Sequence, residues 1–135
     1  MRKLLSTKYS AGAFNTAMLA LRLGIGILMI NHGFQKLTHF NETVNNMPSL
    51  LGMGNRVSAV LIIFAEFFCS LFIIMGLFTR LSSIPLIIAM LVALFKVHNG
   101  DTFGNGETVC LYLAGYLVLL IVGPGKVSVD GMMGK

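Results

Sequence analysis

The stretch VSAVLIIFAEFFCSLFIIMGLFTR, residues 57–80, stays apolar for about twenty residues, the length an α-helix needs to cross about 30 Å of hydrocarbon at about 1.5 Å per residue. Near its middle stands one carboxylate, Glu66. The run reads as a membrane-spanning helix. A charge inside it needs a partner, because an intramembrane charge costs about 2.5–3.5 kcal/mol even on lenient insertion scales. The rest of the chain has the same character: of 135 residues, 56% are hydrophobic and 11% charged, and the mean hydropathy is +0.83. That balance excludes an ordinary soluble domain.

Working outward, residues 13–37, 57–77, 81–97 and 107–122 form four apolar windows. They predict an all-α fold, an integral membrane four-helix bundle making one domain over residues 1–135. Ser82 or Ser83 with Pro85 reads as the start of the third helix, and Gly123-Pro124-Gly125 as the stop of the fourth. The basic N-terminus leads into an apolar run too long for a signal peptide, so it stays as helix one. Outside or at the ends of the spans, Arg2, Lys3, Lys8, Arg80, Lys126 and Lys135 fall on one side, and Lys36, Arg56 and Lys96 on the other. By the positive-inside rule both termini are cytoplasmic. The net charge of +5 is ordinary for a membrane protein and calls for no nucleic acid. Cys69 and Cys110 differ in depth by roughly 13 Å, too far for a disulfide.

The connections differ in kind. TRLSS, residues 79–83, reads as a tight turn that makes helices two and three antiparallel neighbours. In the longer segment 38–56, Phe40, Val44, Met47 and Leu51 recur at helical spacing and predict a short interfacial helix. HNGDTFGNG, residues 98–106, is a turn-rich cap.

Arg22 is the second intramembrane charge. Counted from the window ends, Arg22 and Glu66 both lie about 14 Å deep, which predicts a buried Arg22–Glu66 pair where helices one and two cross. Each heads a stripe: Arg22, Gly26, Met29, Gly33 and Lys36 on helix one, and Ala59, Ile62, Glu66, Ser70 and Ile73 on helix two. The two glycines permit close helix approach. Asn31, His32, Lys36, Lys96, His98 and Glu107 gather toward the outer end, so a water-accessible pocket with Glu66 at its floor is expected. The alternatives are that the pair only fixes helix register, that the lysines snorkel, and that Glu107 serves the helix dipole. His32 and His98 on different helices could supply two axial haem ligands, a reading ranked below proton exchange. No metal site is read, GPGKVS lacks phosphate-loop spacing, and NET at Asn41 matters only where glycosylation occurs.

LRLGIGILMINHGFQKL, AEFFCSLFIIMGLFTR, AMLVALFKVHNG and GETVCLYLAGYLVLLIVGPGKVSVDG occur in that order between Arg22 and Gly131. The constellation resembles the DoxX family of small four-helix membrane proteins, often grouped with the DoxD subunit of thiosulfate:quinone oxidoreductase. The features that carry it are the helix-one arginine with Gly33-x-x-Lys36, the glutamate before GLFTR, the histidine closing helix three, and the GPG…S-x-D tail. The resemblance implies a multi-pass protein of the bacterial cytoplasmic (inner) membrane tied to thiosulfate or thiol oxidation, oxidative-stress defence and the quinone pool. It marks Arg22, His32, Lys36, Glu66, His98 and Glu107 as candidate site residues. The leading expectation is a redox subunit in which Glu66, His32 and His98 exchange protons with quinone and Arg22, Lys36 and Glu107 bind the ligand, Phe64, Phe67, Phe68, Met29 and Met90 lining an apolar slot. Its expected partners are lipid, quinone and redox proteins, and a homo-oligomer fits equally. The rivals are a transporter or binder of a small anion or lipid, and a non-catalytic anchor for partner proteins.

Overall fold

The computed structural model describes residues 5–46, 52, 54–97 and 106–134. Within them the regular secondary structure is helical throughout: α1 Ala11–Thr38, α2 Phe40–Asn46, α3 Asn55–Met75, α4 Thr79–Val92 prolonged by a π-helical turn Ala93–Val97, α5 Glu107–Val122 and α6 Val129–Met132. Each apolar window falls on one of the long helices. α1 and α3, with 28 and 21 residues, are long and apolar enough to cross a membrane, whereas α4 and α5 are shorter apolar helices. The short helix expected over residues 40–51 is present as α2, and Met47 and Leu51 lie outside the described residues. So does the cap at residues 98–105.

Local chemistry explains the helix limits. Ser10 starts α1 as an N-cap, its hydroxyl accepting from the Ala13 N–H at 3.0 Å. α3 ends at Gly76, which takes the left-handed conformation (φ +72°) that glycine adopts without strain, and Leu77 N–H donates back to Phe72 O at 2.9 Å. This places the α3–α4 turn at residues 76–78 and corrects the expectation that residues 79–83 form the turn and that Ser82 or Ser83 opens the helix. α4 begins at Thr79 and carries Pro85 within it. The earlier start is held from a distance: the Asp130 carboxylate accepts from Phe78 N–H at 2.9 Å and Thr79 N–H at 3.0 Å, a cap supplied from the far end of the chain.

The packing follows the stripes. α1 buries Met18, Arg22, Gly26, Met29 and Gly33. On α3, Ala59, Ile62, Glu66, Ser70 and Ile73 are all buried. α1 lies along α3 and α4 along α5, with Met29, Ala65, Cys69, Leu86, Met90, Tyr116 and Leu119 among the residues of the shared core. The outer surface is apolar as well. Leu28, Phe95, Leu111 and Ile121 are 60%, 61%, 69% and 73% exposed. Water does not tolerate a continuous apolar surface of this kind, and lipid does.

Candidate functional site

Glu66 belongs to a π-helical turn, Phe64–Cys69, in the middle of α3. Such turns widen a helix by one residue and occur mostly as single insertions, frequently at functional sites. The turn sits where α1 comes nearest. A Cβ on Gly33 would lie 2.7 Å from Phe67 N and 2.8 Å from the Glu66 carbonyl carbon, so only glycine admits this approach. Lys36, one turn further along α1, then reaches the carboxylate: its Nζ lies 2.8 Å from Glu66 Oε1 and 2.7 Å from Oε2. The Lys36 side chain retains 34% exposure and that of Glu66 only 6%, so the pair opens to the surroundings on the lysine side.

The partner of Glu66 is therefore Lys36, which corrects the expected Arg22–Glu66 pair. Equal depths counted from the window ends assume that the two helices are centred on one another. Gly33, not Arg22, meets Glu66, and the offset of eleven positions from Arg22 to Gly33 spans about 16 Å of helix. Arg22, 1% exposed, instead joins the C-terminal tail, where its Nη2 donates to Val127 O at 2.6 Å and its charge faces Asp130. Its Nη1 packs where any side chain on Gly76 would intrude, so that glycine serves both the turn and the arginine.

Aromatic rings on α1, α3 and α5 lie near the α1–α3 crossing. His32, exposed and one turn before Lys36, meets Tyr112 edge-on with ring centres 6.1 Å apart, and Tyr112 stacks on Tyr116 at 6.2 Å. Tyr116 is fully buried beside Ser70, and both tyrosines lie within the field of the Glu66 charge. On the exposed side Phe34, Phe67, Phe68 and Phe64 form a chain of rings with centres 6.5, 5.2 and 6.0 Å apart, and Phe34, Phe64 and Phe68 are half-exposed. Tyr112 and Tyr116 are not among the site residues expected from sequence. Their signal was there: two hydroxyls at i and i+4 on an otherwise apolar helix, on the face that also holds Gly115 and Leu119. Asp130 appeared only as part of the tail motif, although a chain with five acids against ten bases leaves few partners for an arginine.

Of the expected site residues, the structure joins Lys36 and Glu66 directly and sets His32 beside them through Tyr112. Glu107 is exposed in the first turn of α5. Arg22 instead packs against Gly76 and the tail at Val127. His98 lies outside the described residues, as does the side chain of Lys96, so the His32–His98 haem arrangement falls outside them too. Among the described residues no group of three or more histidine, cysteine or acidic side chains is placed to hold a metal. The pair can offer a cationic donor from Lys36 and a carboxylate that takes up or releases a proton.

The profile of the DoxX family matches residues 17–99. The chain is similar to the inner membrane protein YphA of Escherichia coli K12, 30% identical over 122 residues that cover 84% of this chain and 87% of that protein. It is similar also to the inner membrane protein YqjF of the same organism, 28% identical over 127 residues, 90% of this chain and 95% of the relative. An uncharacterized membrane protein of Mycobacterium tuberculosis is 27% identical over 143 residues, 88% of this chain and 82% of the relative. No solved structure matches the chain significantly.

Proposed function

The chain belongs to the DoxX family, and from that premise we propose that it is a membrane subunit of a redox system that receives a quinone headgroup at the Lys36–Glu66 pair. In this reading the four long helices form a multi-pass bundle in a bacterial inner membrane with both termini cytoplasmic. The distribution of basic residues and the similarity to two inner membrane proteins support that placement. The observation that carries the proposal is the half-open ion pair set in a π turn, with the Phe34 and Phe67 rings beside the same α1–α3 crossing.

The residues fit a quinone. Its ring needs an apolar, flat surface, which Phe34 and Phe67 offer beside the crossing, and its isoprenoid tail an apolar outer surface, which Phe64 and Phe68 extend. A bound quinone supplies a couple of two electrons and two protons, the electrons arriving from a partner protein that oxidises a thiol or thiosulfate. Lys36, exposed on one side, donates a hydrogen bond to a ligand oxygen. Glu66, buried behind it and paired with Lys36, is the carboxylate that accepts a proton and passes it toward that oxygen. His32 and Tyr112 extend the polar path away from Glu66. The surrounding core excludes bulk water, so proton supply depends on these side chains.

The test is thiol- or thiosulfate-dependent quinol formation in membranes carrying the wild-type chain or Glu66→Gln. Removing a general acid costs about 10²-fold or more. A fall of that order with normal protein levels is expected. Unchanged quinol formation in the Glu66→Gln membranes would refute the assignment.

A further inference from the structure

At the opposite end of the bundle, the start of α1, the α3–α4 turn and the corner after α5 enclose a cavity of about 720 Å³, within the range of about 300–1,000 Å³ usual for ligand sites. Its lining is divided by chemistry. Phe14, Phe78 and Leu81 form an apolar wall, with Leu81 67% exposed. Asn15, Arg80 and Lys126 form the polar side.

Among the described residues neither Arg80 nor Lys126 has a carboxylate partner. Arg80 Nη2 reaches the terminal carbonyls of α5, Val122 O at 3.3 Å and Ile121 O at 3.5 Å. Lys126 is held by its backbone, its N–H donating to Asn15 Oδ1 at 2.9 Å, which leaves the exposed ammonium available. Asp130 also lines the cavity, but both its oxygens accept from the backbone N–H groups of Phe78 and Thr79, which turns the carboxylate toward the α3–α4 turn. Gly123 keeps space beside the guanidinium: it has φ +91°, and a Cβ there would come within 3.3 Å of Arg80 Nε.

We propose that this cleft binds the phosphate-bearing headgroup of an anionic phospholipid, with Arg80 and Lys126 on the phosphate and the acyl chains running over Phe78 and Leu81. Two cations with no carboxylate partner among the described residues, beside an exposed apolar wall, match an anion tethered to hydrocarbon. A guanidinium suits phosphate oxygens through paired N–H donors. A free phosphate would satisfy the cations but leave the wall unused. A zwitterionic headgroup would bring its own ammonium against them.

The full chain, purified in detergent, is titrated with phosphatidylglycerol, phosphatidylcholine and inorganic phosphate, and binding is read by native mass spectrometry. Because a basic residue near an anionic lipid contributes about 1 kcal/mol, phosphatidylglycerol is expected to bind at least about fivefold more tightly than phosphatidylcholine. Lys126→Gln should remove about fivefold of that affinity. Arg80→Gln also releases the end of α5, so Lys126→Gln decides, with Arg80→Lys as the variant that keeps the charge and loses the planar donor pair. Equal affinity for the two lipids, or an unchanged affinity in Lys126→Gln, overturns the site. Displacement of the lipid by an equal concentration of inorganic phosphate overturns the lipid assignment.

Discussion

Lys36 and Glu66 meet because Gly33 lets α1 touch the backbone of α3, and the lysine stem then spans the remaining gap. The carboxylate is buried and the ammonium only partly so, which makes loss of the lysine costly: an unpaired buried charge is left behind. Lys36→Met is expected to lower stability in detergent by about 1–3 kcal/mol, and Lys36→Met with Glu66→Gln to recover most of that loss. A double-mutant cycle in thermal unfolding measures the difference. Coupling between positions 36 and 66, with little between 22 and 66, is the expected pattern. Coupling confined to 22 and 66 would restore the pairing read from sequence. That pairing was legible only as far as its chemistry: a lone intramembrane carboxylate required a cation, and both Arg22 and Lys36 lay on the correct stripe. The choice between them rests on axial register, and apolar windows do not encode register when one helix has 28 residues and the other 21.

At the level of elements, two contacts determine where the site lies. The first is the α1–α3 crossing. Gly33→Ala drives a methyl group into the α3 backbone at Glu66 and Phe67, which cannot yield as a flexible side chain would, and is expected to cost about 1–3 kcal/mol. Gly24→Ala is the matched control, since nothing lies within 4 Å of its added carbon. It should be neutral, or stabilising by up to about 1 kcal/mol through helix propensity. Comparing the two unfolding curves separates crowding from propensity. The second contact is the tail. Asp130 caps α4 and accepts no help from its own sequence neighbours in doing so, and its N–H donates to Gly76 O at 2.9 Å. Asp130→Ala should therefore cost about 0.5–2 kcal/mol and loosen residues 76–79 in amide hydrogen exchange. Protection unchanged at those amides would remove Asp130 from its capping role. The helical faces were legible from 3.6-residue periodicity. The π turn was not, because composition does not distinguish an i→i+5 bond from i→i+4, and the cap was not, because its two halves are about fifty residues apart.

For the whole molecule, the polar chemistry divides between two ends. Arg22, Asp130, Arg80 and Lys126 gather where α1 begins and α5 ends, and Lys36 and Glu66 lie toward the other end of α1. The helical class and the positions of the long helices follow from hydrophobic runs that any chain of this composition must bury in lipid or in itself. If the four-helix topology holds, single cysteines placed before Ala11 and after Val129, in a chain lacking Cys69 and Cys110, will react with an impermeant thiol reagent only from the cytoplasmic side of vesicles. Reaction of the two from opposite sides would require an odd number of crossings. The most direct test of function is the amount of quinone that remains with the purified protein, normalised to total lipid, for the wild type, Glu66→Gln, Lys36→Met and Asp130→Asn. Enrichment in the wild type and Asp130→Asn, with loss in both pair variants, is expected if the Lys36–Glu66 pair holds the headgroup. Equal quinone in all four proteins, at the level of bulk lipid, would contradict it.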